Sequence, residues 1–196
     1  MSRTVDAVAR RRELAEAVWR VIRRDGLDQA SVRNVAREAA LSAGSLRHYF
    51  TSQSELLAFA LRTVIERIEA RILAVDGVAD PRLRAERVLD QLLPMDDERG
   101  AENEIWLAFT ARALVDSELR SLRNESHDNL RAGCRALVIG LRAANPGLDV
   151  DGETDRLHAL LDGLAVHAAS RPEETTPQRM RAVLARHLDE LERVSG

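Results

Sequence analysis

The 196-residue chain contains no lysine: all 29 of its basic residues are arginine. Lysine codons are A-rich, so this points to a GC-rich genome and not to a special chemistry. A single cysteine, Cys134, excludes an internal disulfide and fits a reducing cytoplasm. Only five prolines interrupt long Ala, Leu, Arg and Glu segments, and β-branched runs are few, so composition alone predicts an all-α fold. Long apolar runs are missing too. The longest, Leu56 to Leu61, is far short of the ~20 residues that span a bilayer, and the polar, arginine-rich start has no apolar export core. The expectation is a cytoplasmic protein with no membrane partner.

The spacings of catalysis are absent as well. His48, His127, His158, His167 and His187 contain no pair at i, i+3 or i, i+4, the separation that places two imidazoles on one metal. Asp155-x-x-His158 is the nearest approach to the doubled Glu-x-x-His of a di-iron bundle. No nucleophile elbow or phosphate-cradling glycine loop is present. Glu102 and Glu104 fall on different helix faces, where solvation is expected. The reading is therefore not an enzyme, with no cofactor and no metal centre.

What is present is organised around residues 31–53. Ser31 is placed to cap a short amphipathic helix whose Val32, Val35, Ala36 and Ala39 recur at i, i+3, i+4 and i+7. Leu41 then plugs a tight turn. Ser42 caps a second short helix, Ala43 to Phe50, within three residues of the first one's end, which is helix-turn-helix spacing. In such a unit the second helix enters the major groove N-terminus first, offering Ser42, Ala43, Gly44 and Ser45 to base edges. Leu46 and Phe50 face the core, which turns Arg47, His48 and Tyr49 toward solvent or DNA. Ser52-Gln-Ser-Glu55 is a capping box that launches a third, long helix.

Residues 31–57, and above all Leu41-Ser-Ala-Gly-Ser-Leu-Arg-His-Tyr-Phe-Thr-Ser-Gln-Ser-Glu-Leu-Leu57, resemble the signature of the tetracycline-repressor (TetR) family of bacterial regulators. The resemblance implies that Arg33 reaches a base or the backbone from the first helix of the motif. It implies that Ser42 to Ser45 face bases, and that Arg47, Tyr49 and Gln53 touch phosphates. Three positions depart from the family pattern: Arg47 stands where Tyr is usual, Gln53 where Lys is usual, and Ala40 where the turn usually has Gly. If that turn needs a positive φ, Ala40 carries a strain of about 1 kcal/mol.

Charge is distributed to suit. Residues 1–62 hold 11 arginines against 7 acids, a surplus of +4, and the remainder holds 18 against 25, a deficit of −7. A basic head on an acidic body fits duplex DNA at one end. A first helix over residues 8–25 braces the head through Leu14, Ala17, Val18, Val21 and Ile22 and stops at Gly26. Arg3, Arg10, Arg11 and Arg12 precede or open it, where an N-terminal arm could reach phosphate or a minor groove; a frayed basic terminus is the alternative. From Gln53, a stripe of Leu56, Leu57, Ala60, Leu61, Val64, Ile65, Ile68 and Ile72 marks a lever helix shared by both halves. The expected division is a DNA-binding domain 1–52, a connecting helix 53–76, and a ligand-binding and dimerisation domain 77–196.

The body reads as five further helices, with residues 94–100 as an acidic loop. Residues 102–115, apolar on nearly all sides, place Trp106, Phe109, Thr110 and Ala113 on one face, and a long helix supplies His127, Leu130 and Cys134. Aromatic and apolar groups with a few polar ones are the usual lining of a small-molecule site. Trp106, Phe109, Thr110, His127, Leu130 and Cys134 are the candidate effector residues, although a stripe at this spacing also suits a plain core. Two rings are few for an aromatic cage around a cation, so an uncharged or weakly polar effector is expected. The last two helices carry Leu157, Leu160, Leu161 and Leu164, then Val183, Leu184, His187 and Leu188. Such a terminal pair either caps its own core or pairs with a copy of itself in a four-helix bundle. The run Leu161 to His167 is similar to the betaine-regulator-like branch of the family, which implies the homodimer interface. The reading is a homodimeric regulator of a palindromic duplex operator, a repressor released by a small molecule. The alternative is a helical ligand-binding or scaffold protein that has lost DNA binding, with Ala40 and Gln53 as its symptoms.

Overall fold

The computed structural model describes residues 2–26, 29–75, 77–142 and 145–193, with the side chains of residues 2–9, 11, 12, Ala43 and Gln53 outside the described set. Among the described residues the regular structure is helical: α1 (Ser2–Asp25), α2 (Val32–Glu38), α3 (Ala43–Arg47), α4 (Gln53–Leu73), α5 (Pro81–Leu92), α6 (Asp97–Ala113), α7 (Arg120–Leu141), α8 (Val150–Ser170) and α9 (Pro177–Glu192). The all-α expectation holds. Two compact units result, Met1–Arg67 with Glu104–Arg120, and Ile68–Asn103 with Ser121–Gly196. Helices α4 and α6 each contribute residues to both. Packing thus divides the chain differently from the expected sequence domains, because the second half of α6 belongs with the head.

The first unit is built on α1, whose buried stripe of Leu14, Ala17, Val18, Val21 and Ile22 is the one read from the sequence. Gly26 ends it at φ 84°, a conformation that costs glycine little. Helix α1 begins at Ser2 and not at residue 8, so Arg3 is helical along with Arg10, Arg11 and Arg12. Arg10 is engaged with Glu13 one turn on. Arg20 and Arg24 both grip Glu38 of α2, at 2.7 and 2.8 Å, and hold its carboxyl below the usual range. The guanidinium of Arg67 sits 4.4 Å from the Trp19 ring centre, a cation–π contact.

The second unit packs α5, α7, α8 and α9 around Leu89, Leu93, Val138, Leu157, Met180 and Leu188. Asp80, followed by Pro81 at the first turn, caps α5. Thr176 with Pro177 does the same for α9. Asn145 donates to the carbonyls of Leu191 and Arg193, which satisfies groups that a helix end leaves without partners. Helix α6 starts at Asp97, inside the stretch expected to be a loop, because the Asp96 carboxylate accepts from the Arg99 amide at 2.9 Å and nucleates the turn. Glu102 was expected to be solvated. Instead it is 4% exposed and accepts from both terminal guanidinium nitrogens of Arg71, while Glu104 is exposed as expected.

Candidate nucleic-acid interface

The geometry of the head follows from two serine caps. Ser31 Oγ accepts from the Asn34 amide at 3.2 Å and fixes the start of α2. Ser42 Oγ accepts from the Ser45 amide at 3.0 Å and fixes the start of α3. Each such cap contributes about 1 kcal/mol. Between them the chain closes a Schellman motif. The Leu41 amide donates to the Ala36 carbonyl at 2.8 Å and the Ala40 amide to that of Arg37 at 3.2 Å. This motif needs a left-handed residue, and Ala40 supplies it at φ 53°. The missing glycine therefore leaves the turn's hydrogen bonds intact and stores strain in its place.

Val35, Ala36 and Leu46 are buried beneath this turn, and Phe50 is anchored against Phe59 of α4 with ring centres 5.0 Å apart. The second helix ends at Arg47, earlier than the expected Phe50, and residues 48–49 form a turn. Arg33, Ser42, Gly44, Ser45, Arg47, His48 and Tyr49 are all exposed along the α2–α3 edge. Ser42 and Ser45 share a hydroxyl contact of 2.8 Å, so one donor or acceptor of the pair is already engaged. The backbone of α3 and α4 passes through Ala43 and Gln53, whose side chains lie outside the described residues. Glu55 closes the capping box. It accepts from the backbone and hydroxyl of Thr51, which hold its carboxyl below the usual range, and its own amide donates to Ser52 Oγ at 3.1 Å.

The six candidate effector residues do not share one unit. Trp106, Phe109 and Thr110 belong to the first, with Phe109 fully buried and the other two half-buried. His127, Leu130 and Cys134 belong to the second. Cys134 lies in its core, where burial pushes the thiol up to about 12, so it is an inert, protonated group. The exposed His127 ring lies 4.6 Å from that of buried His158, whose Nε2 is 3.8 Å from Asp162. That cross-helix pair was invisible to spacing along the chain, because α7 and α8 bring it together.

Of the candidate interface residues, Leu157, Leu161, Leu164, Leu184, His187 and Leu188 are buried within the single chain, and Leu160 and Val183 are half-buried. Both ring nitrogens of His187 are buried without a hydrogen-bond partner, and burial lowers its tendency to protonate.

Two capped helices joined by a tight turn, with a polar edge exposed on the second, define a helix-turn-helix transcriptional regulator. The chain belongs to the TetR family of bacterial regulators. Residues 14–59 match the family described as bacterial regulatory proteins, tetR family, and residues 81–192 match the BetI-type transcriptional repressor C-terminal domain. The chain is 39% identical to the HTH-type transcriptional regulator PksA of Bacillus subtilis, over 97% of this chain and 94% of that one. A crystal structure of a transcriptional regulator from Rhodococcus sp. Rha1 aligns with a TM-score of 0.80 at 31% identity, covering 94% of this chain and 99% of the other. A regulator from Saccharomonospora viridis, solved in complex with choline, aligns at 0.77 and 25% identity, covering 92% and 93%. These relatives are regulators and not enzymes. Among the described residues, no helix is long and apolar enough to cross a membrane.

Proposed function

We propose that the protein is a cytoplasmic, homodimeric repressor that binds a palindromic operator and releases it on binding a small molecule. The observation that carries this reading is the exposed α2–α3 edge, held by two serine caps and closed by an intact turn despite Ala40. Ser42, Ala43, Gly44 and Ser45 approach the base edges, where small side chains permit close contact. Arg33 reads a base, and Arg47, His48, Tyr49 and Gln53 hold the backbone. A dimer of such heads reads two half-sites about one helical turn apart. Fluorescence anisotropy with duplexes selected by the protein from a random pool tests this reading. It requires a selected palindrome that binds far more tightly than random duplex, with salt-dependent affinity.

The effector acts by favouring a state in which α4 holds the reading heads at the wrong separation. The proposed ligand is uncharged or weakly polar and is sensed through Trp106, with Phe109 and Thr110 of the same helix as the remaining candidates within that unit. Choline is the first compound to test, since a structural neighbour was solved with it. The reading expects choline neither to quench tryptophan fluorescence nor to raise the melting temperature. A matched apolar ligand at 100 times its Kd adds about 2.7 kcal/mol of stability, and Trp106→Ala abolishes that gain. Choline stabilising the wild type but not Trp106→Ala overturns the ligand class and keeps Trp106. The dimer is proposed to form through α8 and α9, with half-buried Leu160 and Val183 nearest the outer faces.

A further inference from the structure

We propose that Asp116 is a positioning residue for the reading head, joining the end of α6 to the start of α4 through Ser54. This rests on the regulator reading above and names the contact that sets the head's register. Ser54 lies in the first turn of α4, one residue beyond Gln53 and seven after Arg47, and it is buried. Its hydroxyl donates to Asp116 Oδ2, and the same oxygen accepts from Arg112 Nε at 3.3 Å. The other oxygen, Oδ1, accepts from the Glu118 amide at 3.0 Å and caps the short 3-10 turn Ser117–Leu119 that leads into α7. One carboxylate therefore ties three pieces of chain together: the last turn of α6, the turn that follows it, and the first turn of α4.

The group is suited to this. The Asp116 side chain is 13% exposed, so water competes poorly for its oxygens. Its hydrogen bonds, that of Ser54 first, keep the carboxyl below the usual range and hence ionised at neutral pH. Charge-assisted hydrogen bonds are shorter and stronger than neutral ones. The partners are 62 residues apart in the chain, and a buried hydroxyl that loses its acceptor keeps its desolvation cost. Nothing in the capping box at Ser52 and Glu55 requires Asp116, so the contact is additional to what α4 needs in order to begin.

The test is a double-mutant cycle on Ser54→Ala and Asp116→Asn, the second chosen because asparagine remains a good cap and keeps the turn folded. The probe is the duplex selected from a random pool. Each single variant is expected to lose about fivefold to tenfold in affinity for it. The double variant is expected to lose no more than the worse single, with random-duplex affinity and salt slope unchanged. Amide exchange gives a readout independent of DNA: Ser54→Ala speeds exchange at residues 117–119, and Asp116→Asn speeds it at residues 54–58. Losses that multiply in the double variant overturn the proposal, as does exchange that changes only on the mutated side. If the wild type binds no duplex, the regulator reading fails on its own, and reciprocal exchange still decides the contact.

Discussion

Replacing Ala40 by glycine should stabilise the head. Ala40 adopts φ 53° because the Schellman turn between α2 and α3 needs a left-handed residue there. An L-residue with a Cβ pays about 1–2 kcal/mol in that conformation. Glycine removes the clash, but its greater freedom in the unfolded chain returns about 0.5–1 kcal/mol of the gain. Ala40 is exposed, so no packing is lost. The net expectation for Ala40→Gly is stabilisation of about 0.5–1 kcal/mol, a rise of about 2–8 °C for a unit of this size. Ala39→Gly is the control. Ala39 has φ −82° and ψ 3°, where alanine is unstrained, and glycine should lose about 0.5–1 kcal/mol. The assay is urea and thermal unfolding followed by circular dichroism. Destabilisation by both substitutions would refute the left-handed assignment at Ala40.

Further outcomes can be checked on the same material. Arg33→Ala should lose about 1–3 kcal/mol on the selected operator and little on random duplex, whereas Arg47→Ala should weaken both alike and flatten the salt slope by about one; equal effects on random DNA would remove Arg33 from base reading. Leu164→Asp or Leu184→Asp should place an unpaired charge in the core of the second unit and unfold it, as seen by lost helicity, while a folded monomer in sedimentation would put these side chains at the interface instead. Burial, then Arg156, lowers protonation of His187 against the raising effect of Glu153 and Glu190, and burial does the same at His158. Both imidazoles therefore bind protons more readily unfolded than folded. Stability should fall as pH drops below the ordinary imidazole value of about 6.5 and level off below their folded values, and the fall should shrink in His187→Leu when urea midpoints are compared between pH 7 and 5.

Where local chemistry decided an element, the sequence was a sufficient guide. The serines at 31, 42 and 52 and the apolar stripes of α1 and α4 all state their role within one or two helical turns. The strain at Ala40 was legible for the same reason. What the sequence concealed depends on partners distant along the chain. Glu102 looked solvated because its partner Arg71 lies 31 residues away, and the His127–His158 pair exists only because α7 and α8 pack together. The six effector candidates share a composition suited to a ligand site, but Trp106 packs with the first unit and His127 with the second. The stripes of α8 and α9 were ambiguous for a different reason. A heptad-like face suits an intrachain core and an interchain bundle equally well, and in the single chain most of that face is already occupied. No local pattern announced the Ser54–Asp116 contact, since an aspartate after a helix reads only as the cap of whatever follows.

The central claim, that the α2–α3 edge reads duplex DNA, is tested most directly by fluorescence anisotropy on a labelled palindrome selected by the protein, against random duplex, between 50 and 200 mM salt on the order of the range where phosphate contacts dominate. The account predicts two chains per palindrome, preference over random duplex by about a thousandfold or more, and affinity that falls steeply as salt rises. Absence of salt-sensitive binding to every duplex offered would contradict it and leave a helical ligand-binding protein without a DNA-reading head.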